Sequence, residues 1–332
     1  MFHRILVPLD GSTLAECVLP HVVALAEATD AAVTLVHVVE QTTSSEQQAR
    51  PIDPLSWRFR QAEAKSYLNS ITSQLREADL RVPIDTVLLE GQPAERIVEL
   101  AHNADVDLIA LSSHGRTGLS GWNVSSIVQR ILLRAYTSVF IARAYQDKPL
   151  TTSSSGYQRI LVPLDGSQRA EYVLPLLGIL AEKHRAKILL AYVVAQPEMP
   201  RRAPLTREET ELGQRLIELN REYMVGYFDH LKSRLPERIE TQILVDDNTV
   251  AALHSLAEGE AVDLVILTAH GYSAIRKYPY GQVGISFITY GTTPLLIIQD
   301  LPQKALEAEA AEGVSSQETQ PVRTPIYDKP SI

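Results

Sequence analysis

The sequence predicts an α/β protein made of two tandem, doubly wound domains, each built on a five-stranded parallel sheet. The first observation is an identical repeat, because Arg4–Ser12, RILVPLDGS, recurs as Arg159–Ser167, 155 positions later. The second is a longer, approximate repeat, in which Val106–Ser126 corresponds to Val262–Gln282, 156 positions later. The third is the alternation of short apolar runs with helical patterns, which is typical of a parallel sheet covered by helices. A tandem duplication explains all three observations.

The repeats divide the chain into two domains, a linker and a tail. We expect the first domain to occupy residues 1–146 and the second to occupy residues 157–300. The linker, residues 147–156, lies in the polar stretch QDKPLTTSSSG, which is rich in Ser and Thr as loops are. Residues 301–332 lack a core-forming pattern, so we expect a disordered tail with a short helix at Ala305–Glu312, either a solvated appendage or a regulatory segment.

Each copy begins with a buried strand and a helix. The continuously apolar run Ile5–Leu9 is typical of a parallel strand covered on both faces. Asp10-Gly11-Ser12 ends this strand, and Thr13 with Glu16 has the pattern of a capping box for the next helix. A proline, Pro20 or Pro175, predicts a kink or break in that helix in each copy.

The later elements follow in the same order in both copies. Apolar runs predict strands at Ala32–Val39, Ile84–Leu89, Ser138–Ala142, Lys187–Val194, Ile239–Val245 and Pro294–Ile298, besides the fourth strands before the two His-Gly pairs. Long helices are expected within Arg50–Arg81 and Met199–Leu235, where the copies differ most. Further helices are indicated by apolar spacing in the segments that contain Ala94–Ala101, Val124–Leu132 and Val250–Ala257.

Composition limits the class of protein. The 332 residues are 45% hydrophobic and 21% charged, which is typical of a soluble globular chain long enough for two domains. We find neither an 18-residue apolar span nor a signal peptide, so we expect a cytoplasmic protein without a membrane partner. The net charge of −9 disfavours a nucleic acid partner. The single cysteine, Cys17, falls among apolar helix positions, which favours core packing over redox chemistry.

Two polar turns of each copy fall at the same edge of the predicted sheet. In the first copy Asp10 follows the first strand and His114-Gly115 follows the fourth, and the second copy has Asp165 and His270-Gly271 there. Ligands of doubly wound sheets bind at the carboxyl ends of the strands. A loop and a helix N-terminus follow each His-Gly pair, and such N–H groups favour a phosphate. The arrangement therefore favours a nucleotide as ligand.

The motifs together resemble the universal stress protein family. The segments that carry this resemblance are the opening ILVPLDGS, Gly91–Ala101, VDLIALSSHGRTGLS and a closing apolar strand, and it covers nearly all of residues 1–146 and 157–300. It implies an adenine-nucleotide alpha-hydrolase-like fold and a stress-response regulatory module that binds ATP or AMP, with Mg²⁺ if the ligand is ATP. It also implies that the domains pair through their last strands as an internal pseudo-dimer. A further homodimer and an unidentified protein partner are the remaining partner hypotheses.

Nucleotide-binding members of the family carry the motif Gly-x2-Gly-x9-Gly-Ser/Thr. In the first copy the resemblance places it at Ser112, Gly115, Ser125 and Ser126. In the second copy it is placed at Thr268, Gly271, Gly281 and Gln282. By the same resemblance the adenine and ribose are surrounded by Pro8, Asp10 and Val38 in the first copy and by Pro163, Asp165 and Val193 in the second.

Each predicted site departs from the motif. The Cβ of Ser125 is expected to hinder phosphate approach or a positive φ that glycine permits. Gln282 either donates to the ligand through its amide or occupies the second site with its bulk. Asp10 has a second interpretation as a residue that orders the turn. The histidines of the His-Gly pairs are interpreted as structural, with phosphate contact as the alternative. Two functions remain: degenerate nucleotide sites, or a scaffold of the same fold that binds no nucleotide.

The sequence indicates no catalytic residue and no metal site. It contains no Gly-x4-Gly-Lys-Ser/Thr loop, no Gly-x-Gly-x2-Gly after the first strand and no Gly-x-Ser-x-Gly elbow. The nine histidines are scattered without the spacing of zinc ligands. We expect at most slow ATP hydrolysis, because no general base or Walker-type lysine is indicated.

Overall fold

The computed structural model describes residues 2–40, 54–116, 124–145, 156–195, 204, 206–235, 238–272 and 279–300. These residues all belong to one unit of the chain, Met1–Asp300. The predicted tail, with its short helix, and all of the predicted linker except Gly156 lie outside the described residues. Those two predictions therefore stay predictions.

Strands and helices alternate through both copies, as predicted. The first copy contains β1 (Arg4–Pro8), α1 (Thr13–Glu16), α2 (Leu19–Thr29), β2 (Ala32–Val39), α3 (Pro54–Glu77), β3 (Ile84–Glu90), α4 (Pro93–Asn103), β4 (Leu108–Ser112), α5 (Ser126–Arg134) and β5 (Ser138–Ala142). The second contains β6 (Arg159–Pro163), a 3-10 turn (Ala170–Val173), α6 (Leu174–His184), β7 (Lys187–Val194), α7 (Arg207–Lys232), β8 (Ile239–Val245), α8 (Thr249–Gly259), β9 (Leu264–Thr268), α9 (Gln282–Tyr290) and β10 (Leu295–Ile298).

The described strands form a single sheet in the order β3-β2-β1-β4-β5-β10-β9-β6-β7-β8. Within each copy neighbouring strands are parallel, so their carboxyl ends meet at one edge. The last strands, β5 and β10, pair antiparallel with Phe140 opposite Leu296. The two copies therefore share a continuous sheet through the strands that the family resemblance singles out.

Two apolar clusters cover the two faces of this sheet, and each runs through both copies. Along β1, Ile5 and Val7 belong to one cluster and Leu6 to the other, and all three are fully buried. The alternation follows from the strand geometry, because successive side chains point to opposite faces. This explains why the strand is apolar at every position.

The helix after β1 begins differently from the prediction. Ser12, and not Thr13, is the N-cap of α1, and its Oγ accepts a hydrogen bond from the Ala15 backbone N–H at 3.2 Å. The predicted capping box is therefore wrong. The predicted break at the prolines is confirmed, since Pro20 and Pro175 lie in the first turns of α2 and α6. Proline is tolerated there because first-turn N–H groups have no intrahelical partner.

Candidate functional site

Asp10 and Gly115 meet at the carboxyl edge of the first copy, after the neighbouring strands β1 and β4. A Cβ built on Gly115 would lie 2.1 Å from Asp10 Oδ2, so only glycine leaves room for the carboxylate. Asp10 Oδ1 accepts hydrogen bonds from the backbone N–H and the hydroxyl of Ser12, at 3.0 and 2.6 Å. Its Oδ2 accepts one from the backbone N–H of Arg116. Asp10 thus joins the turn after β1 to the turn after β4.

The second copy repeats this arrangement. A Cβ on Gly271 would lie 2.2 Å from Asp165 Oδ2. Asp165 Oδ1 accepts from the backbone N–H and the hydroxyl of Ser167 at 3.0 and 2.6 Å, and Oδ2 accepts from the backbone N–H of Tyr272 at 2.5 Å. Both aspartates therefore have the turn-ordering role that the sequence offered as an alternative to ribose contact.

A hydroxyl replaces the first motif glycine in both copies, and it closes the turn. Ser112 Oγ lies 2.7 Å from the backbone carbonyl oxygens of Leu14 and His114, to which it donates. Thr268 Oγ1 donates to the carbonyl oxygen of His270 at 2.8 Å. Both hydroxyl groups therefore donate to backbone carbonyl oxygens of the protein itself.

The third motif position has the same backbone conformation in the two copies. Ser125 has φ −68° and Gly281 has φ −72°, and their N–H groups donate to Ser113 O at 2.8 Å and Ala269 O at 2.7 Å. Neither position has a positive φ, so the expectation that Ser125 would hinder a positive φ is wrong, whereas hindrance of a phosphate by its Cβ stays a prediction. A Cβ on Gly281 would meet Ala269 O at 3.6 Å, an ordinary contact.

The copies differ instead in how the following helix is capped. Ser125 Oγ accepts a hydrogen bond from the backbone N–H of Val128 at 3.3 Å, so the first turn of α5 is capped by its own chain. Gly281 has no side chain with which to cap α9. The first N–H groups of a helix have no intrahelical acceptor and carry a partial positive charge, so they favour an anion. The first residues of the two helices, Ser126 and Gln282, are exposed.

The histidines of the His-Gly pairs are buried, and their partners differ. His114 Nδ1 lies 3.2 Å from Ser113 Oγ. His270 Nδ1 lies 2.7 Å from Asp300 Oδ1, and the side chain of Asp300 is only 1% exposed. Sequence reasoning missed Asp300, which follows β10 where the first copy has Ala144. The polar residue after an otherwise apolar strand was the available signal.

The residues predicted around the adenine and ribose lie at adjacent strand ends. Pro8 is in register with Val36, two residues before Val38, and Pro163 is in register with Ala191, two residues before Val193. Val38 is half-buried and Val193 is 9% exposed. The fold thus places both sets at the same edge as the aspartates and the motif turns.

Each copy also has a tyrosine–glutamate hydrogen bond near this edge, which the sequence analysis did not predict. The hydroxyl of Tyr67, on α3, donates to Glu16 Oε1 at 3.0 Å, and Tyr227, on α7, donates to Glu171 Oε1 at 3.2 Å. Burial and the neighbouring carboxylate raise the pKa of both tyrosines, so they stay protonated donors at neutral pH. The recurrence of this tyrosine in the two copies was hard to recognise, because α3 and α7 otherwise differ in sequence.

The comparisons with known proteins decide the family. The model of the universal stress protein family matches residues 1–143 and again residues 156–299. The chain belongs to the universal stress protein family. A universal stress protein of Methanocaldococcus jannaschii is 27% identical over 143 residues, which cover 43% of this chain and 83% of that protein.

Two solved structures show that the fold of this universal stress protein extends over most of its length. A functionally unknown protein from Pseudomonas aeruginosa superposes with a TM-score of 0.63 at 14% identity, covering 94% of this chain and 98% of its own. A universal stress protein from Archaeoglobus fulgidus superposes with a TM-score of 0.59 at 15% identity, covering 89% of this chain and 96% of its own. At these identities the likeness concerns the fold.

Two kinds of feature are absent from the described residues. In that part of the chain no helix has the length and apolar character needed to cross a membrane. Nor do three or more His, Cys, Asp or Glu side chains within the described ranges come together as ligands for a metal ion.

Proposed function

We propose that this universal stress protein is a stress-response regulatory module that binds an adenine nucleotide, ATP or AMP, at the carboxyl edge of its sheet. We further propose that the second copy is the tighter site. The observation that carries this proposal is the difference in capping, since Ser125 Oγ occupies the Val128 N–H of α5 whereas Gly281 offers α9 no side-chain cap.

The residues present fit such a ligand. Phosphates would lie against the first turn of α9, where backbone N–H groups without a side-chain cap and the helix dipole attract an anion. The adenine and ribose would lie beside Pro163, Asp165 and Val193, at the ends of two adjacent strands. In the first copy a phosphate would have to displace the Ser125 cap. A side-chain cap contributes about 1 kcal/mol, which corresponds to about fivefold in affinity.

The proposed activity is binding, with slow hydrolysis at most. Asp10 and Asp165 already accept hydrogen bonds from their turns, so neither is placed as an uncommitted general base. Mg²⁺ would arrive with ATP and neutralise phosphate charge. Occupancy of the edge would change the surface offered to a protein partner.

A second candidate function is a scaffold that binds no nucleotide. It is favoured by the same turn contacts, because the carboxylates of Asp10 and Asp165 and the hydroxyls of Ser112 and Thr268 are all used within the fold. In that case the edge would serve only to close each domain.

Isothermal titration with ATP and AMP, with and without Mg²⁺, separates the two functions. The matched variants are Gly281→Ser, which installs the first-copy cap in α9, and Gly281→Ala, which adds a Cβ but no acceptor. We expect Gly281→Ser to weaken the tighter site about fivefold and Gly281→Ala to leave it near wild type. Ser125→Gly should tighten the weaker site. A chain that takes up no nucleotide at millimolar MgATP would be the scaffold.

A further inference from the structure

Helix α7 extends well beyond the core of the second copy. It runs over Arg207–Lys232, and its first buried residue is Met224. The part before Met224, Arg207–Tyr223, contributes no buried residue. At 1.5 Å per residue this arm is about 25 Å long.

Four apolar side chains form a stripe along this arm. Leu212, Leu216, Leu219 and Tyr223 are 54%, 48%, 52% and 68% exposed, and we call them the α7 seam. Their spacing of four, three and four residues is the a/d spacing of a helix that pairs with another helix. Single exposed leucines are common on protein surfaces, but a stripe at this spacing marks an interaction surface.

The part of the chain that the structure describes does not cover the seam. The side of α7 that faces the core passes through half-buried Ile217 to buried Met224 and Phe228. At 100° per residue the seam lies roughly 130° around the helix from that side. The seam is therefore directed towards solvent.

The first copy shows that the fold does not require the seam. Ala64, Leu68 and Ile71 are the buried residues of α3, and a shift of 160 positions brings them onto Met224, Phe228 and Leu231, which are the buried residues of α7. By the same shift, the seam residues Leu216, Leu219 and Tyr223 correspond to Ser56, Phe59 and Glu63. Leu212 corresponds to Ile52, so Ser56 and Glu63 interrupt the stripe in the first copy and the complete seam is a feature of the second copy.

We propose that the α7 seam binds the α7 seam of a second copy of this chain, as an antiparallel helix pair on a twofold axis. In that pairing Leu216 lies opposite Leu219 of the second copy, and Leu212 lies opposite Tyr223 of the second copy. Flanking charges select this direction. Arg215 comes opposite Glu222 of the second copy, twice by symmetry, whereas a parallel pair would set Arg215 opposite Asn220.

The arrangement of the sheet supports a contact through helices. The last strands, β5 and β10, already pair with each other inside one chain. They are therefore not available for association between chains, and a homodimer needs another surface. Four apolar side chains per chain bury less than the ~800 Å² per partner of a standard stable interface. We therefore expect a weak dimer with a dissociation constant on the order of 10 μM.

Sedimentation velocity of the full chain over a concentration series tests the proposal. The monomer has a mass of 36.8 kDa, and we expect a reversible shift towards twice that mass as the concentration rises. Leu216→Gln with Leu219→Gln should raise the dissociation constant at least tenfold. The control is Leu55→Gln with Phe59→Gln in α3, which replaces apolar side chains that are 63% and 73% exposed and should leave the dimer unchanged.

Charge reversal tests the direction of the helices. Arg215→Glu and Glu222→Arg should each weaken the dimer, and the double variant should restore it, because the new charges again face each other. A wild-type monomer at all concentrations would overturn the proposal, and so would a dimer that is insensitive to the seam variants. Dimerisation only after removal of residues 301–332 would identify the tail as the occupant of the seam and also overturn it. Nucleotide titration of the monomeric seam variants keeps this test separate from the proposed function.

Discussion

The helices that follow the His-Gly turns begin on the same backbone in the two copies but are capped differently. Ser125 and Gly281 have nearly equal φ values and donate to equivalent carbonyl oxygens. Only Ser125 has an oxygen with which to cap its helix. After a duplication, one hydroxyl therefore decides whether the N-terminus of this helix has a side-chain cap.

By contrast, the contact between aspartate and glycine at the same edge is equal in both copies. The Cβ positions of Gly115 and Gly271 lie 2.1 and 2.2 Å from the carboxylates of Asp10 and Asp165. The aspartate–glycine contact that closes each domain is therefore the same in both copies, whereas the side-chain cap of the following helix differs. Each of the four predictions below compares positions in one copy with their counterparts in the other.

The largest expected effect concerns the residues after the last strands, Arg143 and its counterpart Gln299. Buried Arg143 donates to the carbonyl oxygens of Thr293, Ile288 and Phe287 in the other copy, at 3.2, 3.3 and 2.6 Å. Arg143→Met leaves these acceptors without that donor and should lower the free energy of unfolding by about 3 kcal/mol. Urea unfolding measures the change.

Gln299→Met is the matched control. Within the described residues, the buried amide oxygen and nitrogen of Gln299 have no hydrogen-bond partner. Replacing them by an apolar group should be neutral or stabilise the protein by about 1 kcal/mol. Equal losses in the two variants would show that Arg143 acts only through packing.

Gly115→Ala should lower the free energy of unfolding by about 2 kcal/mol, since the added methyl group collides with Asp10 Oδ2 and overpacking typically costs 1–3 kcal/mol. Gly271→Ala should have a similar effect, because the second copy has the same contact. In an Asp10→Ala background the cost of Gly115→Ala should largely vanish. A thermal double-mutant cycle measures this coupling, and additive losses would place the strain elsewhere.

A pH effect should arise from His21, whose counterpart in the second copy is Leu176. His21 Nδ1 lies 3.0 Å from the hydroxyl of buried Tyr157, and burial lowers the pKa of His21 to about 3. The unfolded chain, with a pKa of about 6.5, then binds more protons, so stability is full above pH 6.5 and falls as the pH drops from 6.5 towards 3. At pH 5 this loss is about 2 kcal/mol.

The variant His21→Leu with Tyr157→Phe installs the residue types that the opposite copy has at these positions, Leu176 and Phe2. Urea unfolding between pH 7 and pH 5 should show a flatter pH dependence for this variant than for the wild type. His184 packs against Tyr157, and burial also lowers its pKa, so part of the pH dependence should remain. An unchanged slope would mean that His21 binds the same number of protons in the folded and unfolded states, so that burial does not lower its pKa.

The smallest effect concerns the caps themselves. Ser125→Ala should lower the thermal stability by about 1 kcal/mol through loss of the bond to the Val128 N–H. Gly281→Ser should raise it by a similar or smaller amount in the absence of ligand, because α9 gains a cap. Saturating nucleotide should remove the difference between Gly281→Ser and wild type, because the phosphate displaces the new cap. If the difference stays the same at saturation, the phosphate does not lie at this helix.

The sequence by itself determined the duplication, the alternation of strands and helices, and the edge at which the polar turns meet. These follow from local patterns, because a strand such as Ile5–Val7 is apolar when both of its faces are covered. The motif positions were located for the same reason, since the repeat and the family resemblance fix their places in the chain.

Only the tertiary structure decided how those residues are used. The pairing of Asp10 with the backbone of Arg116, of His270 with Asp300 and of Arg143 with the end of α9 joins residues that are far apart in sequence. No periodicity encodes such contacts, because they depend on which strands are neighbours and on which atoms then reach hydrogen-bonding distance. Capping by Ser125 is local, yet it too required coordinates, since the same backbone accepts either serine or glycine at that position.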